Sequence, residues 1–445
     1  MKKILILGLL PLLMPSAISA LTINEALVHV INTNPEVRER IESYRAVEKD
    51  KTIAFAGHLP VVDAQAGIGK KSYRGTIPGF SNDGWTYTEA FIRARENLFH
   101  GFGIENDIEQ QNHRIIAAEY FLMEKVSQLG LEMIDRYLEV LKAKKLLDLA
   151  KENRQIHRDY YSKIKQISGS GAGTQADIEQ ISGRLALAES NVRVAENNLL
   201  DAEINLYRIY GDMVKASDMR ESNINKSLIP KTLEQADELA ERQYPSILAM
   251  KKNVDALESG YAQAKENYYP WVDLELKQSY FNNDDSDTLA GRDFAGEVNQ
   301  ASLMVIATWN LYNGGTDVAK REKAAVKMFE ESDRMLNTKR LVSERLRLSW
   351  AAKERLAQQL KYLKQHRDYT KRTLEAYNEE FNLGRRTLLD VLDVENEFYT
   401  SRKAYVSAQY DEQLSKYRVI ENVGNLPNMV SITSEDVLKL ERMAR

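Results

Sequence analysis

The sequence contains an internal duplication, so the fold is expected to consist of two similar halves. GAGTQAD begins at Gly171 and GRRTLLD begins at Gly384, and both have Gly, Thr and Asp at the same three positions. Other pairs recur 210 or 213 residues apart, such as Asn34-Pro35 with Tyr244-Pro245 and Leu98-Phe99-His100-Gly101 with Leu311-Tyr312-Asn313-Gly314. Because a register held over about 190 residues indicates duplication, we define a first repeat, 21–211, and a second repeat, 244–424.

Each repeat has the parts of a long helical hairpin. A run without proline predicts a helix of roughly 95–100 Å, and a shorter return helix follows it. Glycine gives a left-handed exit from the first helix and threonine caps the second, so the tips fall at about 168–174 and 382–387. The tip-turn residues are Gly171, Thr174, Gly384 and Thr387. Long helices are predicted at 104–167 and 316–383, return helices at 175–209 and 388–423, and leading helices at 36–59 and 246–269. A seam in the first long helix comprises Leu122, Val126, Leu129, Met133, Tyr137 and Val140.

Each repeat also contains one predicted β-hairpin, at about 61–99 and 271–311. Strands of this length with one apolar face are typical of membrane barrels, although a half-buried soluble sheet shows the same alternation. The second hairpin alternates Val272, Leu274 and Leu276 with Asp273, Glu275 and Lys277. In the first hairpin, the apolar face of the second strand is predicted to carry Thr86, Thr88, Ala90, Ile92, Ala94 and Leu98.

Four strands are too few to close a barrel, and lipid does not tolerate open sheet edges. Copies of the chain must therefore pool their strands. Two chains would give eight strands and a filled interior, whereas three would give twelve strands and an open lumen. The predicted fold is mainly α with a membrane β-barrel, in which a homotrimer shares twelve strands and the long helices continue the barrel as a periplasmic tunnel.

The first twenty residues predict export. MKKILILGLLPLLMPSAISA has two lysines, an apolar run too short to span a bilayer and a small-residue end, as in a signal peptide cleaved after Ala20. No later segment reads as a transmembrane helix. The chain contains no Cys and its net charge is −4, which argue against thiolate metal sites and a nucleic-acid partner. The six His are scattered, so we predict no metal site, no cofactor and no enzyme activity.

With these features the chain resembles the TolC family of outer-membrane export ducts. The resemblance runs from LTINEALVHVINTNP to IENVGNLP and rests on the two-copy layout, AGHLPVVDA and GRRTLLDVLDVENEFYTSRKAYVSAQYD. TQADIEQISGRLALAESNV and NLFHGFG are most similar to the branch that exports large adhesins by type I secretion. The resemblance implies an outer-membrane homotrimer with a twelve-helix tunnel. It also implies an equatorial belt from 212–243 and 425–445, and a tip opened by an adaptor protein and an inner-membrane ABC transporter.

The resemblance further implies a gate at the tip. Asp390 and Asp393 match acidic residues that line the family's entrance, and three chains would place them in two negative rings. Arg386 and Asp177 match a latch between neighbouring hairpins, but Phe381 stands where a latch tyrosine is often found. Judged without the family, the residues also allow a helix cap for Asp390, a solvated face for Asp393 and an exposed tip charge for Arg386.

The expected function is a passive exit duct of a type I secretion system, set in outer-membrane lipid, with a large secreted or surface adhesin as cargo. One alternative is the outer-membrane component of a multidrug or small-molecule efflux pump. An alternative of another class is a periplasmic coiled-coil scaffold without a pore.

Overall fold

The computed structural model describes residues 20–71, 85–169, 174–221, 224–284, 288–289, 292–293 and 296–439, so nearly all of the expected signal peptide lies outside it. In chain order the helices and strands are α1 (Ile23–Thr33), α2 (Pro35–Phe55), β1 (Val61–Lys71), β2 (Trp85–His100), α3 (Gly103–Gly169), α4 (Gln175–Tyr210), α5 (Leu233–Gln243), α6 (Pro245–Gln263), β3 (Trp271–Asp284), β4 (Thr288–Leu289), β5 (Arg292–Asp293), β6 (Gly296–Thr308), α7 (Thr316–Asn382), α8 (Leu388–Asn422) and α9 (Ser434–Lys439).

The long helices lie where the apolar spacing places them. α3 and α7 have 67 residues each, and the six residues of the predicted α3 seam are at most 2% exposed. The leading helices are shorter than predicted, since α2 ends at Phe55 and α6 at Gln263. A 3-10 turn follows each of them, and Leu59 and Tyr269 then adopt the extended conformation that a following proline favours.

The chain folds as two compact units, and each unit combines segments of both repeats. The strand unit comprises Glu39–Leu122 and Pro245–Leu341. The helix unit comprises the described residues up to Arg38, Met123–Tyr244 and those from Val342 onward. Within the described ranges, no helix is both long enough and apolar enough to cross a membrane.

The strand unit contains a four-stranded antiparallel sheet in the order β1-β2-β3-β6. β2 pairs with β3, so the hairpins of the two repeats join at the centre of the sheet. Among the described residues, β1 and β6 are the edge strands and each has a neighbour on one side only. The second hairpin ends at Thr308, three residues earlier than predicted. Leu311, which the prediction included, lies beyond the strand and is exposed.

The two faces of the sheet differ in chemistry, as the alternation predicts. On the polar face Arg93 lies between Asp63 and Lys277, and its Nη2 atom is 2.9 Å from Oδ2 of Asp63. The other face is mostly apolar and open to its surroundings, and the register also places Glu96, opposite Leu274, and Gln278, opposite Ile92, on it. Its side chains that are more than half exposed are Val62, Ile68, Ile92, Leu276, Leu303 and Val305.

The predicted alternation is wrong at the end of β2. Strict alternation puts Leu98 on the apolar face, but the register shifts between Asn97 and Phe99 and leaves Leu98 without an opposing residue. Such an extra residue forms a β-bulge, which re-aims the side chains that follow. Phe99 consequently lies opposite Val272 on the apolar face, and His100 lies opposite Trp271 on the polar face.

The helix unit has its largest apolar core where α1, α3, α4 and α8 pack together. Tyr137 is fully buried there, and its hydroxyl lies 2.7 Å from the carbonyl oxygens of both Leu21 and Arg220. That contact fixes the segment before α1 and the segment after α4 to one helix. Other members of the core are Leu27, Val30, Met133, Ile134, Leu206, Tyr417 and Ile420.

Candidate functional site

The helices that follow the two tips begin with the same capping motif. The Thr174 N–H donates to Oδ2 of Asp177 and the Asp177 N–H donates to Oγ1 of Thr174, each over 3.2 Å. Thr387 and Asp390 form the same reciprocal pair before α8, with distances of 3.1 and 3.3 Å. Each pair is a capping box, which satisfies backbone N–H groups that have no partner inside the helix.

The second tip turns at a left-handed glycine. Gly384 has a φ of 70°, a conformation in which a Cβ atom is strained. Its N–H donates to the carbonyl of Phe381, and the Arg385 N–H donates to the carbonyl of Glu380, both over 2.9 Å. These two bonds form the Schellman arrangement that closes α7. Gly171, the matching glycine of the first tip, lies outside the described residues.

Asp390 and Asp393 lie one turn apart on α8 and have different partners. The hydroxyl and backbone N–H of Thr387 hold the pKa of Asp390 below its usual range, and the charge of Arg386 adds to this effect. Asp393 is 58% exposed, and its Oδ1 atom lies 2.8 Å from Nη2 of Arg184 on α4. Asp390 is therefore negative at neutral pH, while Asp393 connects the return helix of one repeat to that of the other. The two rings stay a prediction.

Arg386 and Asp177, the residues of the expected latch, have separate partners within the chain. Nε of Arg386 donates to Oε2 of Glu380 over 2.7 Å, and the guanidinium carbon lies 4.2 Å from the centre of the Tyr377 ring. Asp177 is engaged by Thr174 in the capping box. A bond between Arg386 and Asp177 would connect neighbouring chains, and it stays a prediction.

Phe381 packs against an apolar cluster that connects the two hairpins near their tips. Tyr160 of α3 packs against the same cluster. The buried members come from α3, α4 and α8, and they are Ile164, Ile181, Leu388 and Leu392. An aromatic ring without a hydroxyl suits position 381, because the side chain contributes apolar contact there.

Three polar contacts between α3 and the second hairpin have no counterpart in the sequence-based prediction. Tyr160 donates to Oδ1 of Asn378 and Lys163 donates to Oδ1 of Asn382, each over 2.5 Å. Arg402 of α8 lies 2.6 Å from a carboxylate oxygen of Glu152. The partners are 218, 219 and 250 residues apart in the sequence, so no local sequence motif could predict these pairs.

A buried acid lies in the same interface. Glu395 of α8 is 2% exposed, and its Oε1 atom accepts a 3.5 Å hydrogen bond from Nδ2 of Asn153 on α3. Burial raises the pKa of Glu395 to about 7, against the opposing effects of Asn153 and Arg402. His157, also buried, has its pKa lowered by burial. The available sequence signal was a glutamate at a seam position, in the series Leu388, Leu392, Glu395 and Tyr399.

Comparison with known proteins adds a family match. Residues 26–212 and 238–425 match the family described as Outer membrane efflux protein. The two matched segments are offset by the spacing of the internal repeat, so each copy is covered. Together they span most of the chain.

Individual relatives include both an efflux and a secretion protein. The chain is 23% identical over 411 residues to the Outer membrane efflux protein BepC of Brucella suis, covering 91% of this chain and 86% of that protein. It is 22% identical over 311 residues to the Proteases secretion protein PrtF of Dickeya chrysanthemi, covering 67% of this chain and 64% of that protein. The solved Campylobacter jejuni CmeC outer membrane channel superposes with a TM-score of 0.76 at 13% identity, over 93% of this chain and 89% of that one. The last likeness confirms the predicted fold class.

Proposed function

This chain belongs to the outer membrane efflux protein family, and on that premise we propose that it is the exit duct of a type I secretion system. The family and the fold place it in the outer membrane, with a helical tunnel in the periplasm, and the resemblance to the TolC family is confirmed. The proposed cargo is a large adhesin-like protein. An adaptor protein and an inner-membrane ABC transporter deliver the cargo to the tunnel.

The exposed apolar face of the four-stranded sheet carries this proposal. In hydrocarbon, the backbone N–H and C=O groups along β1 and β6 need partners that one described sheet does not supply. Twelve strands from three copies close the wall around an open lumen. The apolar face then meets lipid, and the face with Asp63, Arg93 and Lys277 lines the water-filled interior.

Exposed side chains on two helices of the helix unit support a homotrimer. On α7, Leu348, Tyr362 and Tyr369 recur at multiples of seven residues and are 62–66% exposed. On α4, Leu187 and Val194 are also seven residues apart, and each is more than half exposed. A repeat of seven is the period of a helix-packing seam. In the proposed trimer, α4 of one copy packs against α7 of the next.

The tips form the proposed gate. Three copies of Asp390 and Asp393 line the entrance, and the lowered pKa of Asp390 keeps its ring charged. Arg184 binds Asp393 and so holds the two hairpins of one chain together. Arg386 and Asp177 link neighbouring copies. The adaptor and transporter open the gate by separating these contacts.

Two observations favour protein export over small-molecule efflux. TQADIEQISGRLALAESNV and NLFHGFG resemble the adhesin-export branch, and the relative PrtF is named for protease secretion. A second candidate, an efflux duct, is favoured by the similarity to BepC over 91% of the chain. The same tunnel serves either cargo, so the choice depends on the partner proteins.

A gene deletion separates the two candidates. If the mutant loses very large surface-retained proteins while its drug sensitivity stays unchanged, the secretion assignment holds. Greater drug sensitivity with normal surface proteins would establish the efflux duct instead.

The channel itself is tested with the purified protein, for which we expect a trimer in mild detergent and stepwise conductance in planar bilayers. A monomer without conductance would contradict the shared barrel.

A further inference from the structure

The strand β6 is shorter at its end than its counterpart in the first repeat. The repeat aligns β6, which has 13 residues and ends at Thr308, with β2, which has 16 residues and ends at His100. Asn313 is the counterpart of His100. Residues 309–313 therefore lie outside the strand, although their counterparts, 96–100, lie inside one.

The difference follows from the neighbours that each strand has. β1 pairs with β2 only as far as Arg95, and beyond Arg95 the end of β2 pairs with β3 alone. β6 pairs with β3 as far as Thr308, and among the described residues it has no strand on its other side. In a single chain, residues 309–313 therefore lack the kind of partner that keeps 96–100 in a strand.

We propose that the contact between neighbouring copies repeats, residue by residue, the contact between the two halves of one chain. The inference rests on the proposed trimer and adds its register. β6 pairs with β1 of the next copy as β2 pairs with β3, and residues 309–313 then become strand. Asn310 lies opposite Asp63 of the neighbouring copy, because Asn97 lies opposite Asp273.

The two hairpins show that pairings carry over from one repeat to the other. In the first hairpin Val61 lies opposite Arg95. In the second hairpin their counterparts, Trp271 and Thr308, lie opposite one another. The offset is 210 residues for the first strand of a hairpin and 213 for the second. The same offsets, applied to the pairing of β2 with β3, give the register between copies.

The polar residues at the proposed contact match as donor and acceptor. Within the chain, Nδ2 of Asn97 donates to Oδ1 of Asp273 over 3.0 Å. Their counterparts are Asn310 and Asp63, so the same two residue types meet between copies. Asp63 uses its Oδ2 atom for Arg93 of its own chain, and its Oδ1 atom accepts from Asn310 of the neighbour.

The apolar residues at the contact match as well. Leu311 is the counterpart of Leu98 and becomes the extra residue of a second β-bulge. Tyr312 then takes the place of Phe99 and lies opposite Val62 of the next copy. In the single chain Tyr312 is 84% exposed and Val62 is 65% exposed. The proposed pairing covers part of both side chains.

The helices of the strand unit extend the match to charged residues. α3 approaches α6 so closely that a Cβ atom at Gly260 would lie 3.0 Å from Nε2 of Gln110. The counterparts are Asp50 on α2 and Lys323 on α7, and both are exposed. Packing of α7 against α2 of the next copy therefore brings opposite charges together.

Because the chain contains no Cys, pairs of cysteines can report the register in the full-length protein. N310C/D63C is purified in mild detergent, oxidised and run on a denaturing gel without reductant. N310C/V61C and N310C/Q65C place the second cysteine two residues away on the same face, so they detect a slipped register. Directly opposite residues have the spacing of a disulfide, whereas diagonal neighbours lie about 7–8 Å apart.

We expect N310C/D63C to form covalent dimers and trimers about tenfold faster than either slipped pair, because only its cysteines lie opposite one another. Faster bonding in a slipped pair, or no bonding in any pair within an intact trimer, would overturn the register and leave the trimer standing. A protein that stays monomeric would contradict the shared barrel itself, and this inference with it.

A charge reversal provides a second measurement, which needs no disulfide. Lys323→Asp and Asp50→Lys should each lower the temperature at which the trimer dissociates in detergent, since each places like charges opposite one another. The combined variant restores an opposite pair and should regain most of the wild-type temperature. No loss in either single variant, or no recovery in the combined variant, would place the two side chains apart and overturn the contact.

Discussion

Asn153 and Glu395 face each other between α3 and α8, with 3.5 Å from Nδ2 to Oε1 and exposed fractions of 6% and 2%. The positive charge of Arg402 lowers the pKa of Glu395 and the negative charge of Glu152 raises it, and the charge of Glu395 raises the pKa of Tyr160. Burial raises the pKa of Glu395 to about 7. The contact between the two hairpins therefore includes a group that titrates near neutral pH.

Glu395→Gln should remove a pH dependence from this contact. The pKa of Glu395 is higher in the folded protein than the ordinary value of about 4.3, so its stabilising effect is full below that value and is lost as the pH rises through about 7. The total change is on the order of 3 kcal/mol per chain. We expect hydrogen exchange in the first turns of α8 to quicken between about pH 4.5 and 7 in the wild type, after correction for intrinsic rates, and to level off above that range, whereas it should stay flat in the variant.

The control for that experiment is Glu397→Gln, which changes an exposed carboxylate on the same helix. It should keep the wild-type pH dependence. The measurement must be local, because burial raises the pKa of Glu421 to about 7 as well. A flat wild-type profile around Glu395 would show that its burial is relieved in the assembled protein.

Thr387→Ala should loosen the start of α8. The change removes the hydroxyl that accepts from the Asp390 N–H, and loss of an N-cap costs about 1 kcal/mol. We expect roughly fivefold faster amide exchange in the first turn of α8, corresponding to that energy. Thr373→Ala, nine residues before the end of α7, is the matched control and should leave exchange at the tip unchanged. Equal rates in both variants would mean that contacts between copies hold the turn without the cap.

Arg184→Ala should widen the entrance. It breaks the 2.8 Å pair with Asp393 that joins α4 to α8. Exposed pairs contribute about 0–1 kcal/mol, so we expect little change in overall stability but a higher single-channel conductance in planar bilayers. Arg193→Ala is the control, since Arg193 pairs with Glu196 of its own helix. Conductance unchanged from the wild type would show that this pair does not restrain the gate.

Arg386→Ala should also raise the conductance if Arg386 links neighbouring copies at the tip. Within the chain it binds Glu380, so the variant removes that contact too. Comparison with Glu380→Gln separates the two effects, because this change keeps the arginine available to a neighbour. If Arg386→Ala behaves like the wild type, the latch assignment is wrong.

Asp390→Asn combined with Asp393→Asn should weaken block by multivalent cations. Six carboxylates would be neutralised in a trimer, and rings of negative charge bind such cations. We expect trivalent cobalt hexammine to block the wild-type current at much lower concentration than that of the double variant. Asp201→Asn, an exposed change on α4, should leave the block unchanged. Equal block in the double variant would place the entrance elsewhere.

The sequence predicted the structure correctly where a local feature depends on the residue types of a short segment. The alternation around Val272 predicted a strand, and Thr387 with Asp390 predicted a helix start. The prediction from the sequence failed at Leu98, because the alternation of apolar and polar residues does not reveal an extra residue in a strand. It also missed Glu395 and the Arg184–Asp393 pair, since burial and pairing across 209 residues or more depend on how the helices pack.

The edges of the four-stranded sheet also affect how fast the protein matures. If β1 and β6 of the described sheet find their neighbours only on other copies, the last step of folding is an encounter between molecules. Its rate then rises with the concentration of newly inserted chains and falls when they are diluted. A variant with a mutated edge strand would also impair the complexes that it joins. If the variant and the intact chain are expressed equally, roughly one trimer in eight would contain only intact chains.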